Sequence, residues 1–185
     1  MSDDLTIPET WLAPGALPLE VDFGCHRGAF LIGMAESFSS RNFLGIERQS
    51  NRVERCNARI QRRGLANAIA LRGEGSDALC AALPDASVAI LHVSFPDPWP
   101  KRRHARRRLV NSAFLAEAAR VLRPDGTLRL MTDDAGYFFE IKNLAADAWQ
   151  EVAWTDGIER PATTFENTFR RLGKEPFRLA VLKPH

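Results

Sequence analysis

Leu17-Pro18-Leu19-Glu20-Val21-Asp22-Phe23-Gly24-Cys25-His26-Arg27-Gly28 joins an apolar run to a glycine-bounded turn. Leu17 to Phe23 suits a short buried strand. Gly24 to Gly28 predicts a bend where backbone approaches a ligand closely, because no side chain intervenes. Helical spacing follows from Ala29 to about Phe38. The same alternation continues along the chain. Asn42–Ile46 reads as a second strand, Ser50–Arg63 as a helix ended by Gly64, and Asn67–Leu71 as a third strand. A short helix is expected over Ser76–Leu83, and a long apolar strand over Ser87–Phe95. Ser112–Leu122 reads as a helix stopped by the turn Arg123-Pro124-Asp125-Gly126. Thr127–Met131 follows as a strand, Tyr137–Trp149 as a helix and Phe177–Leu182 as a closing strand. Strands apolar throughout, alternating with helices, predict an α/β fold with a mostly parallel sheet covered on both faces.

The remaining bulk properties narrow the class. The 185 residues, 45% hydrophobic and 26% charged, fit one domain over 1–185 with a short lead-in over 1–16. Three scattered cysteines, Cys25, Cys56 and Cys80, form neither a disulfide framework nor a metal-ligand spacing, so no metal and a reducing cytoplasm are expected. No apolar run approaches the roughly 20 residues that cross a bilayer, and the acidic start Met1–Glu9 lacks the basic opening of a secretory signal. Net charge is only +2, yet six of the eight residues from Lys101 to Arg108 are Lys or Arg. A basic block on a near-neutral chain predicts a polyanion partner.

Ligands of parallel sheets bind beyond the carboxyl ends of the strands, where the strand order reverses. Asp22, Gly24 and Gly28 lie at the first such end. Glu47, 25 residues after Asp22, ends the second strand, where a carboxylate accepts both hydroxyls of a ribose. Glu74 follows the third strand and could meet an adenine edge; it or Asp77 could equally cap a helix. After the fourth strand comes Ser94-Phe95-Pro96-Asp97-Pro98-Trp99-Pro100-Lys101-Arg102-Arg103-His104. Three prolines stiffen a loop that carries a carboxylate. Trp99 offers a face for an unpaired base, and the cations beyond it suit phosphates. Thr132-Asp133-Asp134 ends the fifth strand, and Thr163 with Glu166 matches a helix capping box.

The signature Phe95 to His104, continued by Arg107-Arg108-Leu109-Val110, resembles that of the bacterial tRNA (guanine-N7-)-methyltransferase family. Phe43-Leu44-Gly45-Ile46-Glu47, Thr132-Asp133, and Arg160-Pro161, Thr163, Phe165-Glu166, Arg171-Leu172-Gly173 support the likeness. The resemblance implies a Rossmann-like class I fold with a seven-stranded sheet and S-adenosylmethionine as cofactor. It implies methylation of guanine N7 in the tRNA variable loop. Asp22, Gly24, Gly28, Glu47, Glu74 and Asp97 would line the cofactor pocket, with Asp97 at the reaction centre. Lys101, Asp133, Thr163, Thr164, Phe165 and Glu166 would form the guanine site. Arg102, Arg103, Arg106, Arg107 and Arg108 would hold the tRNA backbone, with neither DNA nor membrane as partner and with monomer or homodimer left open. The sequence departs from the family at His26, where a glycine is usual, at Glu74 for aspartate, and at Thr164 and Thr168-Phe169. A divergent paralogue that methylates another RNA base, or that binds RNA without catalysis, is therefore a second reading. Of the remaining histidines, His92 in an apolar strand is expected to be a satisfied core residue and His104 to join the basic patch.

Overall fold

The computed structural model describes residues 6–74, 77, 79, 83–155 and 157–184, with Arg102 described through its backbone alone. Strand β1 (Leu19–Phe23) is buried at every position. It lies between β2 (Asn42–Glu47) and β4 (Val88–Ser94) and runs parallel to both. β3 (Ala68–Arg72) extends the sheet beyond β2, and β5 (Leu122–Thr132) extends it beyond β4, again in parallel. β7 (Phe177–Leu182) returns antiparallel on β5, and β6 (Gln150–Val152) pairs antiparallel with β7. The order is β3-β2-β1-β4-β5-β7-β6, so it reverses between β1 and β4. Ligand sites belong at that reversal.

Period-two alternation divides the core between the two faces. Val21, Phe23, Leu44, Ile46, Leu91, Val93, Leu128 and Leu130 meet helices α4 (Ser112–Val121) and α5 (Ala135–Ala145) through Phe114, Leu115, Tyr137 and Ile141. The other face carries α2 (Ala29–Ser37) and α3 (Ser50–Arg62), whose Leu31, Ile32, Val53, Cys56 and Ile60 pack on Phe43, Ala68 and Ala70. Two short helices complete the described set, α1 (Glu9–Leu12) and α6 (Thr164–Arg171), with a 3-10 turn at Arg102–Arg107.

The expected α/β architecture with a mostly parallel seven-stranded sheet is present. Three details differ from the sequence expectation. β6 had no counterpart, since its three residues are polar or half-buried and carry no apolar pattern. Arg123 to Gly126 does not separate helix from strand. It bulges out of β5, between Leu122 opposite Val88 and Thr127 opposite Ile90. A Cβ on Gly126 would lie 2.9 Å from the Arg123 carbonyl oxygen, which explains glycine there. The helix expected over Tyr137–Trp149 runs instead over Ala135–Ala145, starting earlier because the Asp134 side chain accepts the Tyr137 N–H at 2.7 Å and caps α5. The helix expected over 76–83, and Cys80 within it, falls outside the fully described residues.

Candidate active site

The turn after β1 bends toward β2, since the Gly24 and Cys25 N–H groups both donate to the Ile46 carbonyl, at 2.7 and 3.1 Å. Gly24, His26 and Gly28 adopt φ of 86°, 54° and 71°. The two glycines serve different needs. A Cβ on Gly24 would meet nothing within 4 Å, so the backbone there borders open space. A Cβ on Gly28 would lie 2.2 Å from Cys56 Sγ, so that glycine lets the loop pack on α3. His26, only partly buried, has its pKa lowered, first by desolvation and then by Arg52.

Glu47 is 5% exposed at the end of β2. Its Oε2 accepts the His26 N–H at 3.1 Å and its Oε1 the Gln49 N–H at 2.9 Å, with Arg52 at 3.6 Å. Two backbone donors fix the carboxylate while each oxygen keeps a lone pair for a further donor. Asp22, also buried, lies close enough to Glu47 to be affected by its charge. Burial first, and that neighbouring carboxylate second, push the Asp22 pKa up to about 7. A buried carboxyl beside another carboxylate favours a cationic ligand. The glycine opening, the fixed ribose-type acceptor and this acidic pair fit a nucleoside bearing a sulfonium and an ammonium group. Glu74 is exposed two residues past β3, with Arg48 at 3.7 Å, and the Gly73 N–H before it donates to the Glu47 carbonyl at 3.1 Å.

The loop after β4 is built by other means. Phe95 and Trp99 both have left-handed backbones, φ 54° and 42°, without being glycine. Such residues cost roughly 1–2 kcal/mol each and persist only where surroundings impose them. The Phe95 N–H donates to the Met131 carbonyl at 2.7 Å, and its ring meets Phe165 and Phe169 with centroids at 5.5 and 5.3 Å. Asp97 is exposed between these two strained residues. Lys101, Arg103, Arg106 and Arg107 are exposed along the 3-10 turn. The Arg107 guanidinium lies 5.1 Å over the Trp99 ring, and His104 meets that ring edge-on at 5.7 Å. One surface of the indole therefore already carries a cation. Arg108 is turned to the loop itself: its Nε donates to the Pro98 carbonyl at 2.7 Å.

Asp133 is exposed just beyond β5. Thr163 and Glu166 form the anticipated capping box, with the Thr163 N–H donating to Glu166 Oε2 at 2.8 Å and the Glu166 N–H to Thr163 Oγ1 at 3.1 Å. Glu166 Oε1 also lies 3.4 Å from Arg178. Thr164 and Phe165 are exposed. The contacts of Phe95 with Phe165 and Phe169 bring α6 to the mouth of β4, joining two motifs far apart in the chain.

Behind this mouth lies a polar cavity of about 180 Å³, lined by His92, Ser94, Arg129, Trp154, Arg160, Glu166 and Arg178 among others. His92 is the satisfied core histidine expected of it: its Nε2 is 2.8 Å from Glu20 Oε2, and Arg41 pairs with the other oxygen. Burial lowers the His92 pKa against the opposing pull of Glu20. Sequence reasoning passed over Glu20, although a carboxylate inside an apolar strand was the available signal. It also passed over Tyr137 and Glu140, for which helical spacing gives no functional signal.

The chain matches the family described as "Putative methyltransferase" over residues 16–179. Among solved structures it is similar to a SAM-dependent methyltransferase from Aquifex aeolicus (TM-score 0.63, 17% identity, 91% of this chain and 85% of that one). It is also similar to the aminoglycoside resistance methyltransferase NpmB1 (TM-score 0.63, 19% identity, 90% and 87%). At those identities the likeness concerns the fold. Curated relatives are nearer. The tRNA (guanine-N(7)-)-methyltransferase of Levilactobacillus brevis is 35% identical over 86% of this chain and 78% of its own length. That of Nocardia farcinica is 35% identical over 94% and 70%, and that of Geobacillus kaustophilus 32% over 90% and 80%. The chain belongs to the tRNA (guanine-N7-)-methyltransferase family.

Proposed function

We propose that this protein methylates N7 of a guanine in tRNA, in the variable loop, using S-adenosylmethionine. The observation that carries the proposal is the placement of Asp97. It stands exposed on a strained, proline-stiffened loop that leaves β4, the neighbour of β1 at the strand-order reversal, and that leads into the basic turn.

The cofactor, when bound, supplies an electrophilic methyl group. Glu47 is set to accept its ribose hydroxyls, and Asp22 to lie against its cationic end. Guanine N7 exposes a lone pair and needs no base to remove a proton. The protein's work is to position the ring and stabilise charge. Methylation leaves the ring positive, so the Asp97 carboxylate favours the product-like charge and can accept hydrogen bonds from N1 or N2 of the base. Lys101, Asp133 and the segment Thr163 to Glu166 border the guanine. Lys101 and the exposed arginines Arg103, Arg106 and Arg107 grip phosphates by shape more than by sequence, with Arg102 in the same turn. A tRNA substrate places the enzyme in the cytoplasm; no described helix is long and apolar enough to cross a membrane.

Purified protein with labelled S-adenosylmethionine and unmodified tRNA should deposit label in 7-methylguanosine after nuclease digestion. Label in another nucleoside, or in none, ends this reading. Asp97→Ala should lower turnover by roughly 100-fold or more with an unchanged circular dichroism spectrum; wild-type turnover in that variant removes Asp97 from the reaction centre.

A further inference from the structure

We propose that Arg108 is a positioning residue that latches the Asp97 loop onto helix α5, and is not one of the phosphate-gripping cations of the basic turn. The inference rests on the function proposed above. Its side chain is only 15% exposed, whereas Arg103, Arg106 and Arg107 beside it are exposed. The guanidinium is engaged on every side. Nε donates to the Pro98 carbonyl at 2.7 Å, and Nη2 lies 3.5 Å from the Trp99 carbonyl. Nη1 is ion-paired with Glu140 of α5, and the group lies 5.1 Å over the Tyr137 ring. The Tyr137 hydroxyl in turn accepts the Val110 N–H at 2.9 Å, anchoring the chain two residues after Arg108.

The loop needs such a device. Pro96, Pro98 and Pro100 have no N–H to donate, so regular backbone pairing cannot fix the stretch that carries Asp97. Phe95 and Trp99 flank it in left-handed conformations that a free loop would abandon. Arg108 gives donors to two carbonyls at the Trp99 end and is itself fastened to α5. Helix α5 begins directly after Asp133-Asp134. One side chain thus ties the end of β4 to the end of β5, the two strand ends that present Asp97 and Asp133. Lysine cannot replace it, because a single ammonium lacks the planar fork that reaches carbonyl and carboxylate together.

The latch and a phosphate contact predict opposite outcomes for Glu140→Gln. Removing a carboxylate beside a phosphate-gripping arginine would tighten tRNA binding. Loosening a latch would instead lower kcat. For Arg108→Lys and Glu140→Gln we expect kcat at saturating tRNA to fall roughly tenfold and threefold, with KM for tRNA within about twofold of wild type. Limited trypsin cleavage after Lys101 and Arg103, located by mass spectrometry, should quicken in both variants while thermal unfolding changes little. Wild-type cleavage together with wild-type kcat overturns the latch. So does a raised KM with a shallower salt dependence and an unchanged kcat. Cleavage is read without methyl transfer, so wild-type protein that leaves tRNA unmethylated defeats the proposed activity, while the protease rates still judge the latch.

Discussion

The turns after β1 and β4 stand side by side at the same reversal of strand order, and both need left-handed backbone. The first obtains it mainly from glycine: Gly24 and Gly28 take positive φ without penalty, and only His26 does so against its side chain. The second contains no glycine. Phe95 and Trp99 are held in that region by a backbone bond to Met131, by two phenylalanines of α6 and by the Arg108 contacts. The first turn is locally encoded. The second depends on distant elements, so its acidic residue is in place only when β5, α5 and α6 are. Coupling the Asp97 loop to distant elements is a physical reason to avoid glycine there.

The largest expected effect tests the encoded turn. Gly28→Ala would combine a left-handed alanine with a Cβ 2.2 Å from Cys56 Sγ. Strain of about 1–2 kcal/mol and overpacking of a few more should together destabilise the fold by about 4 kcal/mol in urea denaturation. Gly24→Ala, with open space in place of Cys56, should lose only about 1 kcal/mol. Equal losses at the two positions would show that packing on α3 is not what Gly28 provides.

Asp22→Asn gives the next largest effect and separates stability from function. In the folded chain the Asp22 carboxyl titrates near 7, above its ordinary 3.8, because burial and Glu47 disfavour its charged form. The folded state therefore holds the proton more tightly than the unfolded one. This group's contribution to stability is greatest below the unfolded pKa and is lost as pH rises toward 7. The asparagine variant escapes that loss. Without cofactor it should be roughly 2–3 kcal/mol more stable than wild type at pH 8, with the gain fading as pH falls toward 4. It should also bind S-adenosylmethionine more weakly, and wild-type affinity should rise with pH through 7 as the carboxylate forms. A pH-independent difference in stability would contradict the assigned titration.

The same contrast explains what could be read from residues alone. The β1 turn was legible because glycine records its own backbone requirement, and the strands because runs such as Val88–Leu91 are apolar without interruption. The position of Glu47 at the end of β2 was legible from the strand pattern, and the Thr163–Glu166 box from its spacing. The polar strand β6 was not, since it is defined by its pairing with β7 and has no pattern of its own. The work of Arg108 was hidden in a run of cations where all members look alike. Its burial follows from Glu140 and Tyr137, which a helix brings near from some thirty positions away, at separations of 32 and 29 residues. The positive φ of Phe95 and Trp99 was equally hidden, because neither residue type favours it.

The smallest expected effect concerns His26, the non-glycine residue of the β1 turn with positive φ. His26→Gly would relieve a left-handed side chain, worth about 1 kcal/mol, but would add freedom to the unfolded chain that costs nearly as much. Stability should therefore stay within about 1 kcal/mol of wild type. The bond to Glu47 comes from the backbone N–H and survives the change, so the Glu47 carboxylate keeps its orientation. Cofactor affinity by calorimetry should then move by no more than about threefold, less than 1 kcal/mol. A gain of tenfold or more would mean that the imidazole itself obstructs the cofactor. The turn after β1 would then share with the turn after β4 the property of carrying strain where ligands bind, and the contrast between them would narrow to the glycines at either end.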